Sequence, residues 1–254
     1  MTAPVFFADD IADASGTYTL SGSEAHHVNV HRLRVGDDID LVDGNGMRAQ
    51  CTITAVDKHD VTVRIDAMSC EDRPRPAITL VQALAKGGRD EAAIEMATEV
   101  GVDSVIAWQA QRSIAKWPAA KRAKAQAKWE NTLKAATKQS RRSRIPALSY
   151  APDTKTLLQQ LEGARVLVLH ESASERLENL DAAWVNSQEI AVVVGPEGGI
   201  TDDELDAFAQ AGAKVVRIGT TVMRSSTAGT VAIAVLNHIT ARMRLDIGES
   251  GYSD

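Results

Sequence analysis

Ile190-Ala-Val-Val-Val194 runs directly into Gly195-Pro196-Glu197-Gly198-Gly199, and a helix then opens at Thr201. A second stretch repeats the arrangement. Lys214-Val-Val-Arg-Ile218 leads into Gly219-Thr-Thr-Val222-Met223-Arg224-Ser225-Ser226-Thr227, then into a helix of small and β-branched residues. Five continuous β-branched and apolar residues predict a strand buried on both faces, as in a parallel sheet covered by helices. Ligands of such sheets sit in the crevice beyond the carboxyl ends of the strands. Two loops of this kind on adjacent strands predict an α/β fold with one shared small-molecule site.

The first loop has a physical reason at each position. Glycine at 195, 198 and 199 removes Cβ and lets backbone lie against a flat ligand. Pro196 fixes its own φ and biases Gly195 toward extended backbone. Thr201-Asp-Asp-Glu204 fits a capping box, and Gly212 closes the helix that follows. The loop is neither a G-x-G-x-x-G dinucleotide fingerprint nor a phosphate loop with its Lys-Ser/Thr. On its own it is also compatible with an ordinary strand–turn–helix connection.

Charge is distributed unevenly. The chain of 254 residues has a net charge of −6, yet Lys116 to Arg144 holds ten basic residues against the single acid Glu130. Local concentration governs phosphate attraction, because screening acts over a Debye length of roughly 8–10 Å. A solvated helix face is the bland alternative. Arg141, Arg142 and Arg144 end the run before Pro146, and arginine forks suit phosphate better than lysine does. Cys51 and Cys70 have no zinc or C-x-x-C spacing, which predicts idle thiols in a reducing compartment. No apolar run approaches the ~18 residues of a membrane helix, and the acidic start from Met1 to Asp10 has no signal-peptide pattern. These features predict a soluble cytoplasmic protein.

Residues 1–72 alternate in short apolar runs, as in Ile39-Asp-Leu41 and Val61-Thr-Val63-Arg-Ile65, with a hairpin signal at Asp43-Gly44-Asn45-Gly46. Arg73-Pro74-Arg75-Pro76 reads as a stiff linker. From residue 77 to 254 strands alternate with helices. Strands are predicted at Ile78–Leu84, Ser104–Trp108 and Arg165–His170. Helices are predicted at Glu91–Val100 capped by Asp90, at Pro118–Gln139 and at Thr154–Glu162. The tail after Arg244 is polar. The alternation predicts a largely parallel sheet with helices on both faces.

Taken together, the blocks resemble a known family. Ala25-His26-His27 with Leu33-Arg34-Val35-Gly36-Asp37, Gln82-Ala-Leu-Ala-Lys86-Gly87, Ala97-Thr98-Glu99-Val100-Gly101-Val102, Gln139-Ser-Arg141-Arg142-Ser-Arg144-Ile-Pro146, Gly195–Gly199, and Ile218-Gly219 with Val222-Met223-Arg224 occur in the family's order. The chain resembles the RsmE-type methyltransferases of 16S ribosomal RNA, which act on uridine N3 and belong to the SPOUT superfamily. The resemblance implies a PUA-like RNA-binding β-barrel over 1–72 and a SPOUT α/β domain with a deep trefoil knot over 77–254. It further implies S-adenosyl-L-methionine as cofactor, a homodimer, and 16S rRNA within the 30S subunit as partner, with no metal and no membrane. A SPOUT enzyme acting on another RNA position or on tRNA, and a non-catalytic RNA-binding protein, are the alternatives.

The residues implied for the cofactor are Leu169, His170, Gly195, Pro196, Glu197, Gly198, Gly199, Ile218, Gly219, Val222, Met223, Arg224 and Thr227. Arg224 and Glu197 are the catalytic candidates. Arg224 is a cation fitted to a developing uracil oxyanion, and Glu197 faces the sulfonium or the RNA. Structural roles compete with both: a brace for Arg224, and for Glu197 a favourable dipole at the next helix. Arg32, Arg34, Lys86, Arg89, Arg141, Arg142 and Arg144 are the RNA candidates. His26, His27 and His31 lack partners at metal-ligand spacing. One departure stands out. Where the family runs Arg-Thr-Glu-Thr-Ala, this chain has Arg224-Ser225-Ser226-Thr227-Ala228, so a carboxylate gives way to a hydroxyl. The group that takes the N3 proton is left open among water, Glu197 and a residue of the partner subunit. Ser225 or Ser226 is expected to cap the last helix.

Overall fold

The computed structural model describes residues 3–14, 16–240 and 242, so the tail after Arg244 lies outside the described residues. Twelve strands and seven α-helices are described, and they divide into two compact units. The first comprises residues 1–73 and 131–146, the second 74–130 and 147–254. The division after Arg73 falls at the proline-rich linker. Residues 131–146, expected in the C-terminal domain, group with the first unit instead.

The first unit contains β1 (Val5–Phe7), β2 (Thr17–Ser21), α1 (Gly22–Val30), β3 (Asp38–Val42), β4 (Met47–Val56) and β5 (Asp60–Cys70). Its sheet runs β1-β3-β4-β5-β2, antiparallel except for the parallel β1–β3 pair. The strands β1 and β2 are its edges, so among the described residues hydrogen bonding does not close the sheet into a barrel. The Asp43–Gly46 turn joins β3 to β4, with the Asp43 carboxylate accepting the N–H groups of Asn45 and Met47 at 2.7 and 3.0 Å. Alternate residues of β4 and β5 (Ala49, Cys51, Ile53, Val61, Val63) are buried with Phe6, Ile11, Ile39 and Leu41 in one core. Burial pushes the Cys51 thiol up to about 12, which keeps it inert.

Residues 131–146 complete this unit. Lys138 reaches Glu24 at 2.6 Å and His27 Nδ1 at 2.9 Å and lies over the Phe6 ring. Arg144 donates to the carbonyls of Asn45 and Glu71, and Ser143 to the Glu71 carboxylate. Arg48 bridges Asp40 and Glu71, each at 2.7 Å, and donates to the Arg141 carbonyl at 2.8 Å. At Gly46 (φ +111°) a Cβ would collide with the Arg144 guanidinium, so the turn glycine makes room for the arginine.

The second unit holds β6 (Ala77–Ala83), α2 (Arg89–Glu99), β7 (Ser104–Trp108), the start of α3 (Ala119–Gln139), β8 (Ala147–Ala151), α4 (Thr154–Gln160), β9 (Arg165–Leu169), β10 (Glu175–Arg176), α5 (Ala182–Val185), β11 (Glu189–Val194), α6 (Asp202–Gln210), β12 (Lys214–Arg217) and α7 (Ser225–Ile239). Its seven strands run β10-β12-β9-β11-β6-β7-β8, and every recorded pair is parallel. The strands ending in the two loops are therefore not neighbours, because β9 lies between β11 and β12. The loops still converge, and the end of β9 joins them.

Helices α2 and α7 pack together on one side. Gly229 lets α7 lie close on the sheet, since a Cβ there would stand 2.7 Å from Leu80 Cδ1 of β6 and 3.3 Å from Val194 Cγ2 of β11. On α6, Phe208 is buried edge-on against Trp108 at 5.6 Å. The capping box forms as its spacing predicts: Thr201 Oγ1 accepts the Glu204 N–H, and Glu204 Oε2 accepts the Thr201 N–H. The same buried carboxylate accepts from Gln111 N–H and the Thr154 hydroxyl through Oε1, both at 2.9 Å. One corrected detail concerns α2. It begins at Arg89 with Gly88 (φ +74°) at the N-cap, while Asp90 sits within the first turn and accepts the Ala85 N–H at 3.2 Å. The left-handed Gly87–Gly88 pair lets the helix start earlier than a side-chain cap at Asp90 would.

Candidate active site

The carboxyl ends of β9, β11 and β12 open onto a cavity of about 540 Å³ within the second unit. Leu169 and His170 come from β9, Val194 and Gly195–Ile200 from β11, Arg217–Arg224 from β12, and Ser225 and Ala228 from α7. Of the expected cofactor residues, all but Thr227 line it. Thr227 is instead in the first turn of α7, its N–H bonded to the Arg224 carbonyl at 2.9 Å.

The glycine loop is tight for visible reasons. A Cβ at Gly195 would lie 2.7 Å from Ile200 Cγ1, and one at Gly198 would lie 3.2 Å from Arg112 Cβ. Gly199 adopts φ +75° and donates to the Pro196 carbonyl at 2.9 Å, closing a turn only glycine takes without strain. Arg112 braces that turn, with Nη1 3.3 Å from the Gly198 carbonyl oxygen and 3.5 Å from that of Ile200. Sequence reasoning missed Arg112. It is a lone arginine in the turn after β7, with no spacing to connect it to a loop 86 residues later.

Glu197 is already engaged. Its Oε1 accepts the Lys86 N–H at 3.3 Å and Arg89 Nη1 at 3.2 Å, tying the glycine loop to the loop after β6. His170 is also set: a backbone N–H can only donate, so the 3.3 Å contact from Ser172 N makes Nδ1 an acceptor. The imidazole then carries its proton on Nε2, and the Ser172 hydroxyl at 2.8 Å donates as well. Arg224 is exposed at the N-cap of α7, and its guanidinium makes no hydrogen bond or ion pair among the described residues. Neither Ser225 nor Ser226 caps that helix, since Arg224 holds the position and Ser225 is already its first residue.

The cavity carries four arginines (Arg89, Arg112, Arg217 and Arg224) and two acids (Glu171 and Glu197) around a glycine-lined wall. Its size is that of a site for a small organic ligand. The glycines leave room for a flat ring, the arginines suit a carboxylate or phosphate, and the Glu197 carboxylate suits a cation.

The other RNA candidates fall into two groups. Lys86 precedes α2 and Arg89 opens it, both in the second unit. Arg32 and Arg34 are exposed on the first unit, as is Arg141, while Arg142 is half-buried. Arg144 is a correction, because its guanidinium is spent on the Asn45 and Glu71 carbonyls and serves the packing of that unit.

A fold of this kind, with a glycine-lined cavity at its strand ends, marks an enzyme domain joined to a second module. Residues 71–237 match the RNA methyltransferase domain family, and residues 20–66 the RNA methyltransferase PUA domain family. The ribosomal RNA small subunit methyltransferase E of Mycobacterium tuberculosis is 39% identical over 100% of this chain and 98% of its own. That of Bacillus subtilis is 29% identical over 91% and 93%. The chain belongs to the ribosomal RNA small subunit methyltransferase E family. Among solved structures, that enzyme from Neisseria gonorrhoeae, bound to S-adenosyl methionine, is 25% identical with a TM-score of 0.81 over 94% of this chain and 98% of that one. A methyltransferase from Legionella pneumophila in complex with the same cofactor is 26% identical, again with a TM-score of 0.81 and the same coverage.

Proposed function

We propose that the protein transfers a methyl group from S-adenosyl-L-methionine to N3 of one uridine in 16S rRNA of the small ribosomal subunit. The observation that carries this reading is the convergence of three strand ends on one glycine-lined cavity, in a chain 39% identical end to end to a small-subunit rRNA methyltransferase. The cofactor, when bound, supplies a methyl group on a sulfonium centre that leaves readily. The protein's own task is positioning and charge stabilisation. Gly195, Gly198 and Gly199 admit the adenosyl moiety closely, and His170 presents Nε2–H at the cavity wall. Arg224 donates to a uracil oxygen as the imide proton leaves, favouring the anion without accepting a proton itself. Ser226 stands where the family has a carboxylate, so the proton passes to water, to Glu197 or to a residue from a second subunit. The target base must leave any stack to enter, at a few kcal/mol if it is paired.

The reading includes a deep trefoil knot of the SPOUT type in a methyltransferase domain over 77–254. Its support is that α7, which follows β12, packs on β6, β11 and α2 on the far side of β9 from that strand. It also includes a PUA-like RNA-binding module over 1–72, a homodimer, and a cytoplasmic setting beside the ribosome. No described helix is long and apolar enough to cross a membrane. Arg32, Arg34, Lys86, Arg89, Arg141 and Arg142 hold RNA phosphates in this scheme. The deciding experiment is methyl transfer from tritiated cofactor to isolated 30S subunits, followed by mapping of the labelled base. Label on N3 of one uridine establishes the reading. Label on tRNA, or none with intact RNA binding, replaces it with one of the two alternatives.

A further inference from the structure

A second concavity, of about 370 Å³, lies beside the first between the loop after β6 and the start of α3. Lys86, Gly87 and Gly88 form one wall, and Lys116 and Lys128 contribute to the other. Trp117 lines the space as well, held stacked on Tyr150 at 5.4 Å and edge-on to Trp129 at 5.2 Å. The floor is therefore rigid and apolar.

The charges around it are unevenly satisfied. Asp90 is buried and accepts the backbone N–H groups of Ala85 and Glu91, so the first turn of α2 already has its anion. Glu91 is paired with Lys128 at 2.6 Å. Lys86 and Lys116 are exposed and have no ion-pair partner among the described residues. Gly87 and Gly88 follow one another in the left-handed region, at φ +68° and +74°. Neither N–H donates to any group among the described residues, and a Cβ at either would meet open space. The left-handed Gly88 followed by the right-handed first residue of α2 belongs to the class of turns whose successive amides form a concavity for an anion's oxygens. Glycine is thus not there to avoid a collision. It allows the left-handed backbone, whose N–H groups no described protein acceptor uses.

We infer that this cleft is an RNA subsite, in which a phosphodiester flanking the target nucleotide sits between Lys86 and Lys116 on the Gly87–Gly88 amides. The inference rests on the proposed RNA methylation and assigns part of the RNA path. Continuity favours RNA over a free phosphate ion. The cleft and the active-site cavity share one loop, since Lys86 and Gly88 line the first, Arg89 lines the second, and Glu197 ties that loop to the glycine turn. A base entering the cavity leaves its neighbouring backbone at this loop. Ribose would then lie over the Trp117 edge.

The test compares the full-length protein with a Lys86→Ala/Lys116→Ala double variant and with Lys155→Ala, an exposed lysine on α4 outside the cleft. Binding to a 16S rRNA fragment is measured against salt, with S-adenosylmethionine affinity measured in parallel. The double variant should bind RNA on the order of 10-fold more weakly near 0.1 M salt, with a log–log slope reduced by about two. Its cofactor affinity and circular dichroism should match the parent, and Lys155→Ala should bind RNA as the parent does. An unchanged slope in the double variant overturns the subsite, as does an equal loss in Lys155→Ala. Calorimetric binding of inorganic phosphate that the double variant loses, with RNA binding unaltered, also overturns it and assigns the cleft to the free ion. If the parent methylates no RNA at all, the functional reading fails instead. A Lys116→Glu variant repeats the test by charge reversal, with a larger loss expected.

Discussion

Arg112 and Gly198 hold each other in place. The guanidinium Nη1 sits 3.3 Å from the Gly198 carbonyl oxygen, and Gly198 lacks the Cβ that would press to 3.2 Å on Arg112 Cβ. The arginine thus fixes a turn whose glycines line the cavity beside it. Arg112→Ala should weaken S-adenosylmethionine binding about 10-fold, the scale of one or two hydrogen bonds. Calorimetry checks this, and KM should rise more than kcat falls. Unaltered affinity would make the contact incidental.

Arg224 differs in having no partner to brace among the described residues. Arg224→Ala should keep the fold and most cofactor affinity but lower turnover by ~10²-fold or more, as loss of one charge-stabilising donor does. Single-turnover kinetics on 30S subunits reads this directly. Near-normal turnover would remove Arg224 from the chemistry, and so would a variant that fails to bind cofactor.

Glu204 gathers the Thr201 and Gln111 N–H groups and the Thr154 and Thr201 hydroxyls on one buried carboxylate. Truncating it strands donors from the loop after β7 and the first turn of α4 as well as from the N-cap of α6. Glu204→Ala should cost about 2–3 kcal/mol in urea unfolding. A loss below ~0.5 kcal/mol would mean that water replaces the carboxylate at little cost.

Glu71 sets an acid limit on the first unit. Burial pushes its carboxyl up, but the Ser143 hydroxyl and Arg48 guanidinium outweigh burial and bring it below the ordinary glutamate value. A carboxyl lowered in the folded state stabilises above its unfolded pKa, near ~4.3, and that stability is lost as pH falls through the folded value. Acid unfolding of the parent should therefore show a component in this window that Glu71→Gln lacks. Identical pH profiles for the two proteins would contradict it.

The sequence disclosed elements whose signals are local. The capping box at Thr201–Glu204, the Asp43–Gly46 turn and the apolar strands β6, β7, β9 and β11 each depend on neighbours within a few residues. The order β12-β9-β11 was not legible, because strand adjacency is decided by long-range packing rather than by periodicity. Helix α1 and strand β8 passed unnoticed because the first is short with His and Asn on its surface, and the second is half-exposed at a sheet edge. Arg144 looked like an RNA contact because nothing near it in sequence announces the carbonyls of Asn45 and Glu71. Arg112 was missed for the same reason. A single cation acquires its meaning from a backbone turn that arrives much later in the chain.

The grouping of residues 131–146 with 1–73 bears on the order in which the molecule is made. A ribosome delivers the Asp43–Gly46 turn, Arg48 and Glu71 long before it delivers Ser143 and Arg144. Domains generally fold as units during synthesis, N-terminal first, but this unit is assembled from two separated pieces of chain. Until residue 146 emerges, the carbonyls of Asn45 and Glu71 and the Glu71 carboxylate must be satisfied by water. A fragment ending at Arg73 would reproduce this nascent state permanently, with its sheet formed and its last polar partners missing.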